Sequence, residues 1–261
     1  MKVYDVIVPL FEIRDNIESF IDNWFKELPI RKLILGFGKD KIKTPKKYED
    51  QIITLNQTEN KTLGKCLSEL ISEVKTEWFI YLHSDVEIIQ HVFDILKSYI
   101  KNDVGGIEGE PIIIRHIKGE LKYIFPERYF IKRGYSGFQM FRTKCLSNLI
   151  KKIEDDYIFT NEDIITQNAV SSSGFRYIKT WAIYLHYNEG LRKNTEKNAK
   201  DMFLGILKYT KPNELVKNLI KVTMRSYHDI FKPINSDEII EFIKKNNSEW
   251  LSYIEDFVNS F

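Results

Sequence analysis

Strand and helix signals alternate along the first hundred residues, which predicts an α/β protein with a mixed, mainly parallel sheet flanked by helices. Three observations carry that expectation. Val3 to Pro9 is a nearly continuous apolar run, as in a strand buried on both faces. Ile13, Ile17, Phe20, Ile21, Trp24 and Phe25 then recur at helical spacing and form one stripe. The alternation repeats downstream, and parallel strands need such helical crossovers.

Leu33 to Leu35 gives a second strand and Ile52 to Leu55 a third. A helix is expected from Thr62 to Val74, with Leu63, Leu67, Leu70, Ile71 and Val74 on its apolar face. Trp78 to Leu82 is the next buried strand, and it runs into His83, Ser84, Asp85, Val86 and Glu87. A helix is expected from about Ile88 to Ile100. From Gly106 the signals change to strands at Ile107, Ile112 to Ile114, Tyr123 to Phe125 and Gly137 to Phe141. A helix from Asn161 to Val170 and a last strand from Trp181 to His186 complete this part. After Gly190 the chain is lysine-rich and helical, broken at Pro212 and Pro233. Asn235 and Glu238 stand as a helix cap and its return partner. A domain of residues 1–190 with a helical extension of 191–261 is therefore expected.

Composition narrows the function. The 261 residues are 43% apolar and 29% charged, with a net charge of +2. No global positive field draws the chain to nucleic acid. Cys66 and Cys145 lie in apolar-periodic segments and read as small buried packing in a reduced compartment. No window reaches the roughly 20 apolar residues of a spanning helix. A cytoplasmic protein is expected, with peripheral contact at the inner face of the membrane left open.

Ligands of such sheets bind at the carboxyl ends of strands, and both Leu10 to Glu12 and His83 to Glu87 fall there. Asp85 and Glu87 are two apart and could face one ion, since Mg²⁺ needs only one or two carboxylates plus phosphates. Alternatively, Ser84 and Asp85 cap the helix expected at Ile88. Glu162 and Asp163 form a second acidic pair in a first helical turn, where the helix dipole alone favours acids. His186, ending a strand, carries no special weight alone.

The ordered set VIVPLFE (6–12), FIYLHSDVEI (79–88), GFQMFR (137–142), NEDIITQNAVSSSGFRYI (161–178) and His186 resembles the family 2 glycosyltransferases of GT-A fold. The resemblance covers about residues 1 to 190. It implies a metal-dependent transfer of a sugar from a nucleotide-diphosphate donor to an acceptor hydroxyl, with inversion and with Mn²⁺ or Mg²⁺ as cofactor. By position, Pro9, Leu10, Phe11 and Glu12 line the nucleotide pocket, and Ser84 and Glu162 belong to the donor site. Asp85 matches the last acid of the Asp-X-Asp motif, with Glu87 and His186 as further metal ligands. Gly137 lies beneath the donor sugar, and Asp163 matches the general base.

The chain departs from the family pattern in two places. His83 replaces the first acid of Asp-X-Asp, leaving Asp85 and Glu87 to hold the ion. Gly36 stands where many relatives carry an aspartate that reads the base or ribose, with Asp40 the nearest substitute. A Gln-X-X-Arg-Trp motif is absent, which disfavours a processive synthase. Arg192 and Lys193, just past His186, could add positive charge to the phosphates, but read better as solvated loop residues.

Two other readings compete. A sugar nucleotidyltransferase needs a glycine-rich loop after the first strand, and Leu10 to Arg14 contains no glycine. A degenerate GT-A domain that binds a nucleotide, sugar or protein partner without turnover is the alternative that His83 and Gly36 keep open. The acceptor class stays open among saccharides, lipid-linked sugars and proteins. The apolar stripes of the tail fit packing on the catalytic domain or on a second subunit of a homo-oligomer.

Overall fold

A computed structural model describes residues 3–10, 17–37, 44–56, 63–117, 120–124, 137–151, 153, 162–187, 196–214, 216–218, 220 and 236–253. Among the described residues nine strands form one sheet: β1 (Tyr4–Leu10), β2 (Ile30–Phe37), β3 (Ile52–Asn56), β4 (Trp78–Leu82), β5 (Val86–Glu87), β6 (Val104–Ile117), β7 (Glu120–Ile124), β8 (Phe138–Arg142) and β9 (Arg176–Tyr187). Their order is β3-β2-β1-β4-β8-β6-β9-β5, with β7 paired to β6. Strands β1 to β4 are parallel, β8 runs against β4 and β6, and β6 and β9 are parallel again. The mixed, mainly parallel sheet expected from the sequence is present.

Alternation along β1 explains the layering. Val6, Val8 and Leu10 pack in one core with α1 (Ile17–Glu27) and α3 (Val92–Ser98), while Ile7 belongs to a second core with α2 (Leu63–Ser72), α4 (Thr143–Ile150) and α5 (Glu162–Ser172). All seven residues of β1 are buried, which accounts for its nearly continuous apolar sequence, Asp5 being the one charged exception. Helix α1 buries Ile17, Phe20, Ile21 and Trp24 on one stripe. Each such aliphatic or phenyl side chain is worth about 1.5–3 kcal/mol relative to exposure.

A third core joins Ile164 of α5 to Phe203, Leu204, Ile206 and Leu207 of α6 (Glu196–Tyr209), to Ile239 and Ile243 of α7 (Ser236–Asn246), and to Trp250. Polar clamps reinforce it. The Asn168 amide donates to Lys211 O at 3.1 Å, while the Lys211 N–H donates to Asn168 Oδ1 at 2.9 Å. The Trp250 indole donates to Thr210 O. The tail thus packs on α5, which is why α5 carries apolar residues on two sides.

Several elements differ from the sequence expectation. The helix expected from Ile88 begins at Val92, because Val86 and Glu87 form a strand against β9. Ser84 and Asp85 therefore cap no helix. Ile107 and Ile112 to Ile114, read as separate strands, lie in the single long β6. Strand β9 starts at Arg176 rather than Trp181, and α4 follows β8 directly with no break the sequence announces.

Candidate active site

Strands β1 and β4 pair only from Asp5 to Ile7 and from Phe79 to Tyr81. Beyond that point Pro9 and Leu10 continue along β2 alone, opposite Gly36 and Phe37. The place of divergence is where the strand order reverses, and open α/β sheets bind ligands outside the carboxyl ends at such a switch point. The absence of a ladder on that side also lets a proline sit in an interior strand.

At the end of β4 the chain makes a tight turn. The Val86 N–H donates to His83 O at 3.3 Å, and the His83 N–H donates to Gly137 O at 3.0 Å. Ser84 and Asp85 occupy the tip, half-buried. The two residues of β5 then run antiparallel to β9, and the Tyr187 N–H donates to Asp85 O at 2.9 Å. Helix α1 holds the same segment from its other side. The Trp24 indole donates to Val86 O at 2.8 Å, and the Asn23 side chain both donates to Ile88 O and accepts from the Ile88 N–H. The sequence marks Trp24 as core but gives no sign of this positioning task for Asn23.

The turn brings three side chains together. His186 Nε2 lies 3.1 Å from Asp85 Oδ1, and the rings of His83 and His186 meet edge to face with centroids 5.4 Å apart. One ligand atom from each of His83, Asp85 and His186 falls within 4.8 Å of the others; among the described residues this is the group with spacing to hold a metal ion. Nδ1 of His186 is buried without a hydrogen-bond partner. Two imidazoles and one carboxylate at this spacing fit a divalent ion.

His83 also reaches the second acidic pair, because its Nε2 lies 3.2 Å from Glu162 Oε1. Glu162 and Asp163 open α5, and the Ile164 N–H donates to Asp163 Oδ1 at 2.9 Å. Burial first, then the negative charges of Glu162 and Glu108, push the Asp163 carboxyl up to about 8; the Ile164 N–H and Lys179 oppose this. Glu108, deep in β6, is itself raised by burial and accepts a hydrogen bond from the Tyr177 hydroxyl at 2.8 Å. A carboxyl poised near neutral pH is suited to proton transfer.

The remaining sequence-designated residues separate into groups. Glu87 stands outside the three-residue cluster, and its carboxylate accepts from the Tyr187 hydroxyl at 2.7 Å. At Gly137 a Cβ would come 2.8 Å from Val86 and 2.9 Å from the Tyr184 ring, while the Gly137 N–H donates to the Tyr184 hydroxyl. Packing beneath the metal-side turn therefore already requires glycine there. At Gly36 a Cβ would come 2.7 Å from Cys66 Sγ, so this position faces α2 and has no room for an aspartate. Phe11, Glu12, Asp40, Arg192 and Lys193 lie outside the described residues. His83, noted in sequence only as a missing acid, joins the cluster; the signal was a second imidazole, His186, at a strand end.

No protein family and no curated protein matches the chain. Solved structures do. The mannosyltransferase PcManGT from Pyrobaculum calidifontis, in complex with GDP-Man and Mn²⁺, aligns over 98% of this chain and 83% of its own at TM-score 0.58 and 10% identity. TarS of S. aureus aligns over 88% of this chain at TM-score 0.62 and 13% identity, and this chain spans 44% of its length. Its 1–349 fragment in complex with UDP-GlcNAc aligns over 93% of this chain and 79% of the fragment, at TM-score 0.59 and 13% identity. The chain has a GT-A-like glycosyltransferase fold. Among the described residues no helix is long and apolar enough to cross a membrane.

Proposed function

We propose that this GT-A-like chain transfers a sugar from a nucleotide-diphosphate donor to an acceptor hydroxyl, with inversion at the anomeric carbon. One observation carries the reading: His83 belongs to the Asp85–His186 cluster and at the same time contacts Glu162, the neighbour of Asp163. In this reading that contact joins an ion-binding corner to a proton-accepting corner at the carboxyl ends of the strands. Solved relatives of the same fold carry GDP-Man with Mn²⁺ and UDP-GlcNAc, which supports a nucleotide sugar as donor.

In this reading His83, Asp85 and His186 hold a divalent ion. When bound, the ion supplies Lewis-acid neutralisation of charge on the departing diphosphate. Pro9 and Leu10 border the nucleotide. Asp163 accepts the proton of the acceptor hydroxyl as that oxygen bonds to the anomeric carbon, and the bond from that carbon to the phosphate oxygen breaks with its electron pair leaving on the nucleoside diphosphate. Attack from the face opposite the leaving group inverts the centre. Residues 1–190 form the catalytic unit and 191–261 its helical extension, within which α6 and α7 brace α5, the helix that carries Asp163.

The test is release of nucleoside diphosphate from a panel of GDP- and UDP-sugars with Mn²⁺ and with chelator. Slow, metal-dependent hydrolysis of at least one donor is expected. Donor binding with no release in any mixture would leave a non-catalytic binding domain in its place.

A further inference from the structure

We infer that the His83–Asp85–His186 cluster selects a first-row transition ion over Mg²⁺, and that Glu162 is the positioning residue that fixes His83 as a ligand. The inference rests on the donor-site reading above, but its test requires no turnover. Three observations carry it. The cluster offers two imidazoles and a single carboxylate, all within 4.8 Å of one another. Its side chains are sheltered, with His186 8%, Asp85 13% and His83 20% exposed. The Glu162 carboxylate, 8% exposed, lies 3.2 Å from His83 Nε2.

The chemistry of the donors sets the preference. Mg²⁺ is a hard ion that demands oxygen ligands in near-octahedral order and gives up water reluctantly. Affinity for a site with imidazole donors rises from Mn²⁺ through Fe²⁺ to Co²⁺, and Zn²⁺ is also well suited, so replacing an acid by His83 favours these ions while removing an oxygen and a negative charge that Mg²⁺ would need. An ionised Glu162 can only accept, which places the His83 proton on Nε2 and the lone pair on Nδ1. A carboxylate on the far nitrogen of a ligating histidine fixes its tautomer and raises its basicity. Glu162 thereby contributes to ion affinity without being a ligand itself.

The experiment uses the full chain, stripped with chelator and titrated with metal alone. Free Mn²⁺ is followed by its EPR signal, Co²⁺ by its visible absorption, and Mg²⁺ is added as competitor. Mn²⁺ or Co²⁺ should bind at least about 10-fold more tightly than Mg²⁺. His83→Asp, which returns an oxygen donor, should narrow that ratio by about 10-fold. Glu162→Gln should weaken Co²⁺ binding by about 10-fold and shift its absorption bands, with thermal unfolding confirming an intact fold. Equal competition by Mg²⁺ in the unaltered chain, or an unchanged ratio in folded His83→Asp, overturns the selectivity. Unchanged Co²⁺ affinity and spectrum in Glu162→Gln overturn the positioning role. Tight transition-ion binding by a chain that hydrolyses no donor would instead refute the transferase reading and leave this inference standing.

Discussion

The two ends of the same parallel strands use acids in opposite ways. At the amino end, Asp5 is fully buried in β1, and its Oδ2 accepts from Arg31 at 2.8 Å and from the backbone N–H groups of Lys75 and Thr76 at 2.7 and 3.2 Å. One carboxylate there ties β2 and the approach to β4 onto β1. At the carboxyl end, Asp85 sits on a turn whose backbone is already held by Gly137, Tyr187 and Trp24, and its side chain faces an imidazole. The backbone positions Asp85; the side chain of Asp5 positions backbone. A buried acid whose removal would loosen the fold is structural, and one whose surroundings would survive its removal is available for chemistry.

The largest effect that would break this contrast is on Asp163, at the functional end. Asp163→Asn should lower the transfer or donor-hydrolysis rate by about 10²–10⁴-fold, the usual worth of a general base. Stability should be equal or higher, because a carboxyl crowded by Glu162 and Glu108 is removed while an acceptor for the Ile164 N–H is kept. Rate measurement with thermal unfolding on one sample checks both. A variant that loses stability along with rate would place Asp163 with Asp5 instead.

Asp5→Ala is the reciprocal change. It leaves two backbone donors and Arg31 without their acceptor, and breaking such a pair costs about 3 kcal/mol even with Arg31 partly solvated. Denaturant unfolding should show that loss, with the rate per folded molecule unchanged. A rate that falls in proportion to the stability would mean the two ends are coupled.

A pH series sharpens the contrast with a smaller effect. A carboxyl raised to about 8 in the folded chain is mostly protonated at neutral pH and cannot accept a proton. The rate should therefore climb as pH rises through about 8. Stability runs the other way. The folded state holds this proton more tightly than the unfolded state, so the contribution is full below the ordinary carboxyl range and is lost as pH rises towards about 8. Asp163→Asn should flatten that decline, which unfolding midpoints at several pH values would reveal.

The same contrast explains which parts were legible in the sequence. Strands β1 to β4 and helices α1 and α2 are local, regular and buried, so apolar period alone located them. The long β6 and β9 were harder because their pairing, Glu108 with Lys179 and Ile112 with Leu185, spans some seventy residues and includes a bulge. Period-two alternation is also blurred in β6 by glycines at 105, 106 and 109, which pack against bulky neighbours. Motif order singled out Asp85, Asp163 and His186, and the fold puts Asp85 and His186 3.1 Å apart. What escaped was three-dimensional: His83 bridging to Glu162, Asn23 clamping Ile88, and the packing demands at Gly36 and Gly137.

Glu87 gives the smallest expected effect and the finest test, because it is an acid at the functional end that the structure employs as Asp5 is employed. Its position two residues after Asp85 reads in sequence as a second metal ligand. In the fold it begins no helix and, among the described residues, belongs to no metal-holding group; β5 pairs it with Leu185, and its carboxylate accepts from the Tyr187 hydroxyl at 2.7 Å. Burial first, and then that bond, push the Tyr187 hydroxyl up to about 12. Tyr187 in turn packs edge to face on Phe20 of α1, so the pair braces β9 against that helix. Glu87→Gln keeps an acceptor and removes only the charge, which should cost about 0.5–1.5 kcal/mol of stability. Affinity for Mn²⁺ should change by less than about 2-fold, since no ligand is lost. A 10-fold loss would return Glu87 to the ion and show that adjacency in the chain, rather than the turn at His83–Val86, decides which acids face the metal.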